Sequence, residues 1–220
     1  MRSHRLILLA GLLIGLSYVW LRGGFIGVWP GDGEVSAAGM PAAGASLQTA
    51  TFAGGCFWSV ESDFDRVDGV VATTSGYTGG SSVNPTYEQV VRGGTGHVEA
   101  VDILFDPAVV SYEQLLDYYW SHVDPFVTHR QFCDVGDQYR PGIYVHTAAQ
   151  RAAAEASRER TQAKFRDPVL VTIADAKPFY RAEDYHQDYY LKHPLQYRYY
   201  RWRCGRDARL SRIAAGAAQG

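Results

Sequence analysis

Cys56 stands directly after Gly54 and Gly55, and it opens a stretch in which Phe57, Val60, Phe64 and Val67 recur at helical spacing. The first turn of a helix offers unpaired N–H groups and a partial positive charge, which favour a thiolate over a thiol. A cysteine placed there is a candidate nucleophile, and the paired glycines let the chain turn sharply enough to bring its sulfur to the surface. The competing role is that of a small buried hydrophobe, common for free cysteine. Phe57 and Trp58 follow at once. Adjacent helical residues point in different directions, so both cannot enter the same core, and one is left to form an apolar wall beside the sulfur.

Glu99 lies in the clearest strand of the sequence, Val98 to Phe105. Period-two alternation places it on the face of Val101, Ile103 and Phe105, where a carboxyl loses water and keeps its proton at neutral pH. A protonated carboxyl can act as a general acid towards a departing oxygen. Tyr87, Tyr139 and Asp134 sit in two long irregular stretches; the hydroxyls can donate hydrogen bonds and the carboxylate can orient a partner. Among fifteen tyrosines neither stands out by itself. His97 and His186 could serve as bases, which would make Cys56 the nucleophile of a hydrolase or transferase; structural hydrogen bonding is the other role open to them. His122, His129, Cys133 and Asp134 could be drawn as a metal site, but their spacing matches no zinc pattern, and no metal is expected.

The elements that must position these groups are legible in outline. A short strand at Thr51–Ala53 precedes the Cys56 helix, which Gly69 stops; Val70–Thr74 and Val98–Phe105 are strands. Ser111 with Gln114 forms a capping box for an aromatic helix reaching His122, and Thr147 with Gln150 opens a helix through about Phe165. Ile143–Val145 and Val169–Ile173 are strands, and the chain beyond Pro178 is dense in tyrosine. This order predicts an α+β fold, a ferredoxin-like two-layer sandwich core with long active-site loops and an irregular C-terminal tail. Structureless loops longer than about 12–15 residues are usually functional or disordered, and these aromatic, Gly-rich ones read as functional.

Arg2 and Arg5 precede an apolar run from Leu6 to Leu21, shorter than the roughly 20 residues of a spanning helix. Residues 1–29 are expected to be a signal peptide or membrane anchor and 30–48 a linker; 49–212 form the catalytic domain and 213–220 a disordered tail. The leader predicts export, to the periplasm or to an inner-membrane anchor facing it, with a cytoplasmic location as the alternative; contact with membrane is expected only through this segment. An apolar fraction of 46% supports a packed core, and a net charge of -2 with no concentrated basic face argues against nucleic acid. The one basic cluster, Arg198–Arg212, reads as a solvated terminal segment. Three cysteines, none in a C-x-x-C arrangement, are too few for a disulfide scaffold. The only methionines, Met1 and Met40, precede the expected domain.

Gly55-Cys56-Phe57-Trp58 resembles the signature of the peptide methionine sulfoxide reductase A family. Gly76-Tyr77-Thr78-Gly79-Gly80, Asn84-Pro85-Thr86-Tyr87, Thr95-Gly96-His97-Val98-Glu99, Asp134-Val135-Gly136-Asp137-Gln138-Tyr139-Arg140 and Glu183-Asp184-Tyr185-His186-Gln187 follow in the family's order. They cover nearly all of residues 50–190; Ser59 departs from the family's usual glycine. The resemblance implies reduction of methionine S-sulfoxide, free or in peptides and proteins, with no bound cofactor. In that scheme Cys56 is the nucleophile, Glu99 the proton donor, Tyr87 and Tyr139 the oxygen-binding hydroxyls, Asp134 an auxiliary group, and Phe57 and Trp58 the substrate-binding aromatics. A Cys56 sulfenic acid then condenses with a second thiol, and an external thioredoxin-like protein restores the enzyme, expected to be a monomer. Cys204, in a tail expected to be mobile, is the first choice for the resolving thiol, with Cys133 the alternative.

Overall fold

The structure is a computed structural model that describes residues 46–216; the expected leader, most of the linker and residues 217–220 lie outside the described residues. Its elements are, in order, β1 (Gln48–Ala53), α1 (Phe57–Phe64), β2 (Val70–Thr78), α2 (Tyr87–Arg92), β3 (Val98–Phe105), α3 (Tyr112–Ser121), β4 (Arg130–Gln131), β5 (Asp134–Val135), β6 (Gly142–Val145), α4 (Ala148–Gln162), β7 (Thr172–Asp175), β8 (Tyr180–Arg181), α5 (Tyr189–Lys192), α6 (Pro194–Cys204) and α7 (Arg206–Ala214). A short 3-10 turn spans Asp137–Tyr139. The fold class is α+β.

Six strands form one sheet in the order β7-β6-β1-β3-β2-β8, and β4 and β5 pair apart from it. Every pairing in the large sheet is antiparallel except β6 with β7. One face carries the main core: Phe52, Val101, Ile103 and Phe105 from the strands meet Phe57, Val60 and Phe64 of α1 and Leu115, Leu116 and Tyr119 of α3. Each side chain of this size taken fully out of water contributes roughly 1.5–3 kcal/mol. Ala53, Val98, Ala100 and Tyr144 make a smaller cluster on the opposite face. Both capping boxes of the helix starts at Thr86 and Ser111 are formed, and Thr147 caps α4.

Several sequence expectations need correction. Strand β2 runs on through Gly76-Tyr77-Thr78, because β3 pairs with it to that end. Gly76 is required there: a Cβ would lie 2.4 Å from the ring of Phe179. The loops are not structureless, since one contains α2 and the other the β4–β5 hairpin. The strand expected at Val169–Ile173 lies at Thr172–Asp175, in parallel register with β6, and a further short strand, β8, follows it. The C-terminal segment is three helices, not an irregular tail, and the tail expected from 213 begins inside α7, where Ile213 is buried.

Nor is the Arg-rich end a solvated segment. Arg206 is buried and donates to Gly54 O, His122 O and Asp63; Arg201 bonds Asp63 and Asp207; Arg209 pairs with the buried Asp124. Charges with buried partners pin a helix where sequence reading sees only basic composition. Among the described residues no helix is long and apolar enough to cross a membrane.

Candidate functional site

Residues far apart in sequence meet because β1 leaves the sheet where β3 enters it. Phe52 faces Val101 in the antiparallel register, so the turn after β1 lies over the first residues of β3. Gly55 takes φ +89° in that turn, and a Cβ there would lie 2.5 Å from Gln131 Cβ, so only glycine fits. Cys56 is the N-cap of α1, and its side chain caps nothing. The next residue, Phe57, donates its backbone N–H to Glu99 Oε2 at 3.0 Å. The candidate acid therefore sits one peptide unit from the candidate nucleophile.

Cys56 is 8% exposed. Burial pushes its thiol well up, and the Glu99 and Asp134 carboxylates push it further; the Tyr200 hydroxyl and the Trp58 backbone N–H pull the other way. The thiolate expected from the helix N-terminus alone is thus not the resting form, because desolvation outweighs the helix end and its Trp58 N–H. The Glu99 contribution holds only while that carboxyl is ionised. Glu99 is 2% exposed, and burial raises it to about 8 despite the Phe57 N–H, so it is neutral at pH 7. That part of the expectation, a carboxyl that keeps its proton, agrees with the structure.

Tyr87 opens α2 and Tyr139 ends the 3-10 turn. Burial is the main cause that raises both hydroxyls, Tyr87 to about 12, and the charged neighbours that raise them include Glu99, Cys56 and Asp134 in each case. Asp134 is also raised by burial, and its Oδ2 accepts the Tyr200 hydroxyl at 2.5 Å. The structure thus brings together five side chains singled out in the sequence: Cys56, Glu99, Tyr87, Tyr139 and Asp134. Phe57 turns into the core while Trp58 stays half-buried at the edge, stacked on Tyr189 with ring centroids 3.7 Å apart. Ser59 is buried on α1, and its hydroxyl has no hydrogen-bond partner among the described residues.

Neither histidine is hydrogen-bonded to Cys56 among the described residues. His97 accepts from Gly80 N and meets Ser82 O through its other nitrogen, which ties down the Gly-rich segment. His186 accepts from Trp58 Nε1 at 3.1 Å and packs on Phe57 and Tyr87; burial lowers it, so it is neutral. The drawn metal site does not converge either: His122 bonds Tyr118 O, and His129 bonds Asp137.

Cys133 and Cys204 are joined to each other by a disulfide that closes 71 residues, and Cys56 is the free cysteine among the described residues. Cys133 occupies the β4–β5 turn after Phe132, which adopts φ +54°. That turn brings Cys133 Sγ to 3.7 Å from Asp134 Oδ1. Cys204 ends α6, an ordered helix rather than a mobile tail.

Sequence reading missed Tyr200, which touches both Cys56 and Asp134 from α6. It also missed Glu183, which accepts from Tyr77 Oη and from the Tyr87 backbone N–H and so fixes the start of α2. Tyr200 lies four residues before Cys204, one helical turn away; that spacing was a usable signal once α6 was recognised as a helix.

The family model described as "Peptide methionine sulfoxide reductase" matches residues 48–217. A relative from Listeria innocua, "Peptide methionine sulfoxide reductase MsrA", is 50% identical over 165 residues, 74% of this chain and 93% of its own length. Among solved structures, reduced Mxr1 from Saccharomyces cerevisiae superposes with TM-score 0.65 at 30% identity, over 68% of this chain and 87% of its own. Methionine sulfoxide reductase A of Corynebacterium diphtheriae superposes with TM-score 0.61 at 32% identity, over 72% and 78%.

Proposed function

The chain belongs to the peptide methionine sulfoxide reductase family, and from that premise we propose how its site reduces methionine S-sulfoxide to methionine. The observation that carries the reading is a neutral buried carboxyl, Glu99, bonded to the backbone one residue from a buried free cysteine. Cys56 Sγ attacks the sulfoxide sulfur. Glu99 passes its proton to the oxygen and takes up the proton released by the thiol. The sulfur–oxygen bond of the substrate breaks, methionine leaves as the sulfide, and the oxygen remains on Cys56 as a sulfenic acid. Two electrons pass from Cys56 to the substrate sulfur. Tyr87 and Tyr139 hold the oxygen, Trp58 walls the methyl group while Phe57 backs the site from the core, and Asp134 with Tyr200 orients the thiol.

The Cys133–Cys204 pair supports a relay rather than a single resolving cysteine. One of the two thiols condenses with the sulfenic acid and releases water. The other then displaces Cys56, which becomes free again while the disulfide moves outward. A thioredoxin-like dithiol protein reduces that disulfide, and no prosthetic group takes part. The order β6-β1-β3-β2 of the central strands, with α1 and α3 on one face, supports reading the core as a ferredoxin-like sandwich.

The test is to supply separated S and R epimers of a methionine sulfoxide with dithiothreitol. Consumption of the S epimer with the R epimer left intact is expected, as one epimer per enzyme is the general pattern. Equal consumption of both would contradict the reading.

The apolar run from Leu6 to Leu21 motivates a location outside the cytoplasm, free in the periplasm or anchored to the inner membrane. Fusing residues 1–45 to a reporter active only after export is expected to give signal. A silent reporter places the enzyme in the cytoplasm.

A further inference from the structure

A groove of about 510 Å³ opens between α7 and the segment that leads from α3 to the β4–β5 hairpin. It falls in the size range of small-molecule sites, roughly 300–1,000 Å³. Cys204 lines it, so one partner of the Cys133–Cys204 disulfide faces this space. Three guanidinium groups, those of Arg130, Arg209 and Arg212, line it against the single carboxylate of Asp124. Asp124 is buried and already paired with Arg209, so the charge left over at the mouth is that of Arg130 and Arg212, both exposed. Phe126 and Phe132 supply apolar wall. A net positive groove with a disulfide in its lining suits a thiol that carries carboxylates.

We propose that this groove binds a low-molecular-weight acidic thiol, of the size of a tripeptide, and presents it to the Cys133–Cys204 disulfide as a second route of reduction. The proposal rests on the relay reading above. Guanidinium groups hold the carboxylates, which also concentrates anionic thiols over neutral ones. The first thiolate attacks one sulfur of the pair, forming a mixed disulfide and releasing the other cysteine as thiolate. A second thiolate then attacks the small-molecule sulfur of that mixed disulfide. The ligand leaves as its symmetric disulfide, both cysteines are reduced, and two electrons have entered the chain.

The experiment separates this from sulfoxide chemistry by running the exchange backwards. A Cys133→Ser variant leaves Cys204 as a lone thiol at the groove. It is exposed to glutathione disulfide, which is anionic, or to cystamine, which is cationic, and Cys204 modification is followed by intact mass and peptide mapping. The anionic disulfide is expected to react at least about 10-fold faster at low salt, and added salt should shrink that preference, since exposed charges are screened. Adding Arg130→Glu and Arg212→Glu should remove or invert it, while dithiothreitol-driven sulfoxide reduction in the otherwise wild-type chain stays unchanged. If those replacements disturb the fold, the salt titration and the milder Arg130→Gln still decide. Equal reactivity of the two disulfides, or a preference that survives loss of both arginines, overturns the proposal. Loss of S-sulfoxide reduction by the wild type would instead overturn the function it rests on.

Discussion

Cys56→Ser is expected to lower dithiothreitol-driven reduction of the S-sulfoxide by at least about 10⁴-fold, the scale seen when an enzyme's nucleophile is removed. A serine oxygen cannot take up the sulfoxide oxygen as a sulfenic acid does, so no slower version of the same step remains. The fold should survive, because the Cys56 side chain caps nothing in α1 and serine is a good N-cap residue. The other two cysteines give a different signature. Pre-reduced wild type without external thiol should release about two equivalents of methionine: one through the relay, which ends as the Cys133–Cys204 disulfide with Cys56 free, and one more through Cys56 itself. Cys204→Ser and Cys133→Ser should each stop at about one, because the intermediate disulfide to Cys56 has no thiol left to displace it. Both variants should keep turnover with dithiothreitol and lose it with a dithiol protein. Product counted by chromatography against enzyme concentration decides. Two equivalents from Cys204→Ser would remove Cys204 from the relay.

What could be read from the sequence divides along physical lines. Helix starts with side-chain caps, at Ser111 and Thr147, announce themselves locally, and the alternation in Val98–Phe105 placed Glu99 on a buried face correctly. Cys56 and its glycines were visible for the same local reason. The C-terminal helices were not. α6 has arginines and tyrosines on every side, and its place is set by Asp63, which binds Arg201 and Arg206 from α1. No periodicity within 194–214 reveals a partner 138 residues away. Two consequences follow from that one omission. The sequence hides Tyr200, which faces Cys56, and reads as a mobile tail around Cys204, which the fold holds beside Cys133. The Cys56 thiol likewise depends on tertiary context: the helix end favours the anion, but only the folded site shows that burial first, and the neighbouring Asp134 carboxylate after it, oppose it. The resemblance to a known family selected Tyr87, Tyr139 and Asp134, where residue chemistry by itself left them among many equals.

Glu99→Gln is expected to slow S-sulfoxide reduction by roughly 10²–10⁴-fold, the usual worth of a positioned general acid. The substitution keeps size and an oxygen that accepts the Phe57 N–H, so what it removes is the transferable proton. pH separates this role from a structural one. With Glu99 at about 8, the neutral form prevails below that pH and the anion above it. Wild-type turnover should therefore hold steady towards lower pH and fall as pH rises through about 8, whereas the Gln variant should show a low rate with no inflection there. A wild-type rate that climbs through pH 8 would sink the proton-donor role and give the rate to ionisation of Cys56 instead. The same shift links to stability with a defined sign. An unfolded Glu titrates near 4.3, so between that value and about 8 folding takes up a proton at Glu99. The favourable contribution of the buried neutral acid is complete below pH 4.3 and is lost progressively as pH rises through this window, until above 8 the folded chain must bury a carboxylate beside Cys56 and Asp134. Glutamine does not titrate and escapes that loss. The melting temperature of Glu99→Gln should thus exceed that of wild type at pH 9, with the gap closing towards pH 5, and the variant that is hardest to unfold in base should be nearly inert as a reductase.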